Sequence, residues 1–464
     1  MGTEIEEIYK DYSEIIESPI EMTKANSPLV IFEGQFTLKS KSQEIVIDGR
    51  IQFDWFPDSG ASFSGVPNID VFETDKLFKG IDDFEVLIDG LCFGKGLFTS
   101  TSMGPDFFIR GILSQQAIKG DKSIPVQKLW FAIPNLRDFM GIPVKKVHDK
   151  GVYCSKNRLI LENDSFKILI DKCYNYKELK QSLESKGGYI IQYAGELYSK
   201  KGSILFDEVQ DLFHCLDTFL SFLNGRRTAA LFIHGMFENE TVWCDYTDYY
   251  VDTYKSVFSW PQKHSIDGIN ELWQKFSELW KDSDDKNFLI SAIHWYVEAN
   301  SSSGFTEGSI IMAQTALELV YNWLIIEHKK ILIGKDSENI SAANKIRLLL
   351  SNLNIDYKVP LSFDKLQSFI DESKDIIDAP DAVVQIRNAI VHSQEEKRKK
   401  LSSIHYKVKA EALGLCVWYI EMSLLNILNF DNIYYNRCIR GLFTSNSKQL
   451  VPWSKKEIKQ KPSP

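Results

Sequence analysis

The chain has 464 residues, of which 44% are hydrophobic and 25% charged, and its net charge is −9. This composition excludes wholesale disorder, and the length predicts two or three domains. Because the net charge is negative, any nucleic-acid contact must come from a local basic surface. Seven scattered cysteines without a C-x-x-C pair favour reduced thiols over a disulfide framework.

The acidic N-terminal sequence Met-Gly-Thr-Glu-Ile-Glu-Glu argues against a secretory signal. No apolar run reaches the length of about 20 residues that a membrane span needs. The most apolar stretch, Leu413 to Leu428, contains Glu421 and Asn426, so we expect a buried or amphipathic helix there. We therefore expect a soluble, cytoplasmic protein.

Residues 28–202 have the pattern of antiparallel β-structure. Between Glu44 and Trp55 apolar and polar side chains alternate, with Val46 as the exception. Asp48-Gly49 and Asp89-Gly90 lie inside apolar runs, and each is either a tight turn or a bulge in one long strand. The segment predicts a sandwich or barrel-like domain with these strands: Leu29–Leu38, Phe84–Phe93, Phe107–Leu113, Val126–Ile133, Arg158–Leu161, Phe166–Ile170 and Tyr189–Tyr193. Its clustered aromatic residues are predicted to be core in preference to a ligand groove: Trp55, Phe56, Phe107, Trp130 and Phe131.

A bridging segment follows the β-rich part. Apolar residues at three- and four-residue steps predict a helix from Asp207 to Leu223, ended by Asn224-Gly225. Two strand-like pieces come next, at Ala229–Phe232 and Val242–Cys244.

From about Ile269 the apolar period is helical, which predicts an antiparallel bundle. The predicted helices are Ile269–Trp280, Asn287–Ala299, Gly308–Ile331, Ala342–Leu353, Phe363–Asp375, Ala382–Val391 and Ser402–Leu428. Two of them carry an apolar stripe at three- and four-residue steps: Ile310, Ala313, Leu317, Val320 and Leu324 in Gly308–Ile331, and Leu413, Val417, Ile420, Leu424 and Ile427 in Ser402–Leu428. We therefore predict an α+β fold with an N-terminal β-rich domain (1–205), a bridge (206–268), a C-terminal all-α domain (269–442) and a polar tail (443–464).

The segment Val383–Ser393 carries the most informative polar residues. Arg387 and His392 flank an apolar stripe and would point roughly 140° apart in one ideal helix of about 100° per residue. The stripe consists of Ala382, Val383, Ile386, Ala389 and Ile390. Either the helix ends between Arg387 and His392 or a site is assembled with a second copy. Ser393 and Glu396 have the spacing of a capping box, which predicts a new helix start and places His392 at a corner.

These residue types suit RNA cleavage without a metal. One group must take the 2′-hydroxyl proton and another must protonate the leaving oxygen, and histidine transfers protons near neutral pH. Arginine suits the phosphate, and the basic run Lys397-Arg398-Lys399-Lys400 would raise the local RNA concentration. The alternative is a surface arginine, a histidine that ends a helix, and a solvated lysine run. No zinc, P-loop, dinucleotide or serine-esterase motif is present, so we predict no metal and no cofactor.

The motif Arg387-Asn388-Ala389-Ile390-Val391-His392 stands with Ala316-Leu317-Glu318 upstream and Tyr434-Tyr435-Asn436-Arg437 after the last long helix. Together they resemble the HEPN superfamily of ribonucleases, and most nearly the Apea-like HEPN group of bacterial anti-phage proteins. In that group a β-rich N-terminal domain precedes the helical one, and Phe219–Arg226 looks like the junction. The specific motifs cover roughly residues 285–440.

The resemblance implies a metal-independent endoribonuclease that cleaves cellular RNA in anti-phage defence by abortive infection. It implies a homodimer in which Arg387 binds the scissile phosphate, His392 handles the proton and Asn388 contacts or orients the phosphate. Glu318 would orient the site, although a structural ion pair is the alternative for this residue. Tyr434 and Tyr435 are predicted to be packing residues. A phage-derived trigger is expected at the N-terminal domain, which would make residues 1–205 a sensor-like domain.

One position departs from a HEPN subgroup. Toxins that a partner nucleotidyltransferase modifies carry a tyrosine two places after the histidine, and this chain has Gln394 there. Regulation by that route is therefore not expected. Two further hypotheses remain open at this point: a non-catalytic HEPN module for dimerisation or RNA binding, and a β-domain binding protein whose helical part only oligomerises.

Overall fold

The computed structural model describes Tyr9 and residues 11–41, 43–68, 84–102, 107–114, 116–148, 151–301, 305–392, 394–439 and 447–456. The chain divides into two compact units. The β-rich unit comprises Met1–Arg137, Gly141–Asp217 and Thr228–Lys255, and the helical unit comprises Asp138–Met140, Thr218–Arg227 and Ser256–Pro464. The predicted α+β class, with antiparallel β-structure before helices, is confirmed.

The first part of the β-rich unit is a closed antiparallel barrel in the order β1-β2-β3-β6-β5-β4. Its strands are β1 Leu29–Lys39, β2 Glu44–Asp54, β3 Gly60–Pro67, β4 Phe84–Ile88, β5 Leu91–Ser102 and β6 Phe108–Leu113. The burial of β2 alternates as predicted, with Val46 on the exposed side. Inward-pointing residues fill the barrel because alternate side chains of each strand face the interior.

The two Asp-Gly pairs have different structures. Asp89 and Gly90 have φ of 49° and 78° and form the turn between β4 and β5. Asp48-Gly49 lies inside β2 and pairs with β1 without a register shift, so it is neither a turn nor a bulge. A Cβ on Gly49 would lie 2.1 Å from the Ser64 carbonyl oxygen, so the glycine permits the close approach of β3.

The second part of the β-rich unit is an eight-stranded sheet in the order β7-β14-β13-β8-β12-β11-β10-β9. Its strands are β7 Ile118–Gly120, β8 Lys128–Pro134, β9 Ile142–His148, β10 Gly151–Glu162, β11 Phe166–Lys172, β12 Ile191–Ser199, β13 Leu231–Phe237 and β14 Glu240–Asp245. Helix α1 (Tyr176–Lys186) contacts β12, and helix α2 (Phe206–Asn224) packs on β8 through Phe213 and Phe131.

The predicted aromatic core is confirmed in part. Trp55, Phe107 and Phe131 are buried, Trp130 is half-buried and Phe56 is 51% exposed. The prediction that Phe56 belongs to the core is therefore wrong. No disulfide joins any of the seven cysteines, all of which are among the described residues.

The helical unit contains the rest of the secondary structure. Its helices are α3 Ile269–Leu279, α4 Ser283–Ser301, α5 Phe305–Tyr321, a π-helix Asn322–His328, α6 Lys335–Glu338, α7 Ala342–Asn352, α8 Asp364–Asp371, α9 Ala379–Val391, α10 Glu395–Ser403 and α11 Tyr406–Ile427, and β15 Ile433–Tyr435 pairs with β16 Lys448–Leu450. The stripe predicted on α5 is buried throughout.

Helix α11 differs from its predicted single stripe. Leu413 is only half-buried, whereas nearly every residue from Leu415 to Leu425 is buried, on all sides of the helix. This burial makes α11 the central helix of its unit, because a helix that is apolar all round belongs inside a core.

Two helical segments, Phe305–His328 and Tyr406–Ile427, are long and apolar enough to cross a membrane by length and composition. Their most apolar windows are 56% and 67% buried inside the fold. Core helices of soluble proteins have the same properties, so these segments are weak evidence for a membrane span.

Candidate active site

Helix α9 carries Arg387, Asn388 and His392. An N-cap and an ion pair stabilise its first turn. The Asp378 carboxylate accepts a hydrogen bond from the Asp381 backbone N–H at 3.0 Å, and Pro380 lies in the first turn. Arg347 of α7 donates two hydrogen bonds to Asp378, Nε to Oδ2 at 2.7 Å and Nη2 to Oδ1 at 2.8 Å. This bidentate ion pair holds the start of α9 against α7.

One face of α9 is buried in the bundle. Ala382, Val383, Ile386 and Ala389 are buried, and the Gln314 amide of α5 donates a hydrogen bond to the Val383 carbonyl at 2.6 Å. The apolar stripe predicted for this helix is therefore confirmed, apart from Ile390, which is half-buried.

Arg387 and His392 are set differently at the far end of α9. Arg387 is half-buried, and its Nη1 donates to the Asn388 carboxamide oxygen at 3.3 Å. The helix ends at Val391, and His392 takes an extended conformation (φ −87°, ψ 109°) with an exposed side chain. Within the described residues no hydrogen bond or ion pair joins Arg387 to His392. The predicted corner at His392 is confirmed, because the helix ends between the two residues.

The basic run lies on α10. That helix starts one residue later than a cap at Ser393 predicts: its N-cap is Gln394, without a side-chain hydrogen bond, and the first helical residue is Glu395. The predicted capping box is therefore wrong, because Glu396 is one position too early; Ser393 itself lies outside the described residues. Lys399 is exposed and pairs with Glu395 at 2.7 Å. The side chains of Lys397, Arg398 and Lys400 also lie outside the described part of the chain.

Glu318 of α5 pairs with Lys345 of α7, with 2.6 Å between Oε1 and Nζ, and its side chain is 57% exposed. Lys345 lies two residues before Arg347, which binds the first turn of α9. Arg387 comes nine residues after Asp378, which corresponds to about 13 Å along the helix axis at a rise of about 1.5 Å per residue. The structure thus gives Glu318 an ion-pair partner near the start of α9 and not at the end that carries His392.

The tyrosines of Tyr434-Tyr435-Asn436-Arg437 are buried packing residues, as predicted. Arg437 binds Glu421 of α11, with Nε 2.9 Å from Oε2 and a second bond from Nη2 to Oε1. The Tyr296 hydroxyl donates to the same Oε1 at 2.9 Å, and burial raises the pKa of that tyrosine. The sequence did not predict Glu421 as the partner of Arg437, although a glutamate in an apolar run is itself a signal of a buried ion pair.

Another polar cluster was also missed. The π-helix, whose hydrogen bonds join residues five apart, brings the ring centroids of Trp323 and His328 to 3.7 Å. Both rings share Asp285 of α4: Trp323 Nε1 donates to Oδ1 at 3.1 Å, and His328 Nε2 lies 3.1 Å from the same oxygen. Among the described residues no group of three or more His, Cys, Asp or Glu is arranged to hold a metal.

Comparison with known proteins gives two family matches. Residues 121–257 match the model of the YopA central domain, and residues 282–447 match the model of the YopA C-terminal domain. The chain is similar to YopA. A YopA from Bacillus subtilis (strain 168), described as an SPbeta prophage-derived uncharacterized protein, is 28% identical over 453 residues, covering 93% of this chain and 96% of the relative. No solved structure matches significantly. The second match contains Arg387, Asn388 and His392.

Proposed function

We propose that this chain is a metal-independent endoribonuclease of the HEPN type that cleaves cellular RNA in bacterial anti-phage defence. The observation that supports this most is the end of α9. There an exposed histidine follows a half-buried arginine and leads directly into a lysine-rich helix. A proton-transfer group, a phosphate-binding cation and a basic approach surface are thus close in sequence at one helix end.

In the proposed reaction His392 takes the proton of an RNA 2′-hydroxyl, and the 2′-oxygen attacks the neighbouring phosphorus. The bond from phosphorus to the 5′-oxygen breaks, and that oxygen receives a proton. The products are a 2′,3′-cyclic phosphate and a 5′-hydroxyl. Arg387 stabilises the charge on the phosphate, and its contact with Asn388 orients the guanidinium.

The reaction needs two proton-transfer groups, and one chain supplies one histidine at this helix end. A homodimer in which two copies of α9 line one cleft would supply the second. The exposure of His392 suits this arrangement, because its imidazole is accessible to both a partner copy and a substrate.

The proposed setting is the bacterial cytoplasm, with the β-rich unit as sensor of a phage-derived trigger. The similarity to a protein described as prophage-derived supports a context in which phage and host compete. The alternative is a non-catalytic HEPN module that dimerises or binds RNA. It is favoured by the pairing of Glu318 with Lys345, which leaves the helix end with fewer polar groups than a complete site would have.

The test is to incubate total RNA with the purified full-length protein and EDTA and to map the cut ends. Wild type should leave 5′-hydroxyl ends, and His392→Ala should fold normally and lose cleavage. His264→Ala, which changes another exposed histidine of the helical unit, is the matched control and should cut like wild type.

A His392→Ala protein that cuts at the wild-type rate in chelator would refute the assignment. If wild type binds RNA in a salt-sensitive way, cuts none and is harmless when expressed, the non-catalytic alternative holds.

A further inference from the structure

The chain is acidic overall, but one region of the β-rich unit is basic. Between residues 141 and 190 there are ten lysines and arginines and six acidic residues, in a chain of net charge −9. This region contains the hairpin of β9 and β10, strand β11 and helix α1. Lys156, Lys167 and Lys177 are exposed in it. Arg158 and Lys172 of this set are buried, so the exposed lysines are the groups that can attract an anionic polymer to this region.

Two tyrosines and a lysine converge on one face of this region. The register of the hairpin pairs Tyr153 with Lys146, so both side chains lie on the same face. Tyr174, just after β11, packs edge-to-face on Tyr153 with ring centroids 5.3 Å apart. The Lys146 ammonium lies 5.1 Å from the centre of the Tyr174 ring. The tyrosines are 40% and 46% exposed, so ring surface is open to solvent beside a cation.

The Lys146 ammonium already forms an ion pair with an acidic side chain, Glu17. The N-terminal segment is tied to the sheet by the Ile16 N–H bond to Asp171 Oδ2 at 2.8 Å and by Arg158 Nη2, which donates to the Glu14 carbonyl at 2.7 Å. This placement brings Glu17 Oε1 to 3.0 Å from Lys146 Nζ, with the glutamate 68% exposed. Glu17, Lys146 and Tyr174 are among the residues that line a cavity of about 150 Å³.

We propose that this face binds single-stranded nucleic acid, with an unpaired base stacked on the Tyr153–Tyr174 pair and a phosphate on Lys146 in place of the Glu17 carboxylate. Aromatic rings beside a cation bind unpaired bases, because every base has a face that can stack. An acidic peptide would use Lys146 but would not need two exposed aromatic rings beside it, so the rings favour a nucleic acid. This site lies in the β-rich unit and goes beyond the nuclease proposed for the helical unit.

The test measures binding of short fluorescent oligouridylate and oligothymidylate by anisotropy, with the full-length His392→Ala protein so that no probe is cut. Tyr153→Ala and Tyr174→Ala should each weaken binding about tenfold, since each removes a stacking surface. Tyr174→Phe keeps the ring and should bind normally. Tyr250→Ala, at a tyrosine that is 71% exposed elsewhere in the unit, should have no effect.

Glu17→Gln should tighten binding severalfold, because it frees Lys146 for a phosphate. The same change in a Lys146→Ala protein should do nothing. Glu44→Gln, which removes the carboxylate of the exposed Lys39–Glu44 pair on the barrel, is the matched charge control and should leave affinity unchanged. Equal affinity for oligouridylate and oligothymidylate would show that the face recognises features common to single-stranded RNA and DNA. A preference for one of them would identify which polymer the face binds.

Unchanged affinity in both tyrosine-to-alanine proteins overturns the proposal, as does equal tightening by Glu17→Gln and Glu44→Gln. If polyglutamate competes as well as the oligonucleotides and the tyrosine variants bind it normally, the surface takes acidic peptides and the proposal is wrong. These outcomes are independent of the nuclease proposal, because binding is measured without cleavage. A chain that cuts no RNA can still pass this test.

Discussion

Replacing Glu421 by glutamine removes one charge from an ion pair at the centre of the helical unit. Glu421 is fully buried and the Arg437 side chain is 10% exposed. Arg437 also donates to the Asn300 side-chain oxygen at 2.9 Å and lies 4.8 Å from the Phe258 ring centre. The variant keeps the size of the side chain but leaves the guanidinium charge buried without a counter-ion.

Breaking a buried ion pair from one side costs about 3–5 kcal/mol, because the remaining charge stays desolvated. In a unit of roughly 200 residues each kcal/mol lowers the melting temperature by about 2–4 °C. We therefore expect Glu421→Gln to lower the melting temperature of the helical unit by about 6–20 °C. The assay is thermal unfolding of the full chain followed by circular dichroism at the helical band.

Glu318→Gln is the matched control, since it breaks the exposed pair with Lys345 in the same unit and should cost less than about 1 kcal/mol. Glu421→Met combined with Arg437→Met should cost less than Glu421→Gln alone, because no unpaired charge remains, although the Tyr296 hydroxyl still loses its acceptor. Equal shifts for Glu421→Gln and Glu318→Gln would show that water reaches Arg437 and would refute the reasoning.

Two further predictions concern a helix end and a buried carboxyl. In chemical denaturation, Gly225→Ala should destabilise the helical unit by more than Gly334→Ala. Both glycines have φ of +72°, but only at Gly225 would a Cβ meet neighbours, with Asn300 Nδ2 at 2.6 Å. Equal losses of stability in the two variants would contradict this prediction. Burial raises the pKa of Asp245 above its usual 3.8, so the folded state holds that proton more tightly and loses stability as the pH rises from 3.8 through the raised value. Asp245→Asn lacks this loss, so its stability advantage in urea unfolding should grow with pH and then level off; an advantage that shrinks with rising pH would contradict the assignment.

Much of the local structure follows from periodicity along the chain. The alternation from Glu44 to Trp55 is the strand β2, and the stripe on α5 is buried at every predicted position. These patterns are reliable because a strand and a helix each expose side chains with a fixed period. Residues close together in the sequence therefore show which face of the element is buried and which faces solvent. The end of α9 before His392 is of the same local kind.

Other features depend on residues far apart in the chain. Asp48-Gly49 and Asp89-Gly90 are identical dipeptides in apolar runs, yet Asp48-Gly49 lies inside a strand, where Gly49 pairs with Gly65 of β3 and leaves room for the Ser64 carbonyl oxygen. The partners of Glu318 and Glu421 are Lys345 and Arg437, 27 and 16 residues away, and nothing in their spacing selects them.

The sequence by itself therefore determined the fold class, most elements, and the corner at which Arg387 and His392 are separated. Only the tertiary structure decided which charges are paired, because an ion pair depends on which helices approach one another and on how far water is excluded. The same holds for the surface formed by Tyr153, Tyr174 and Lys146: strand register pairs Tyr153 with Lys146, and the turn after β11 brings Tyr174 against both.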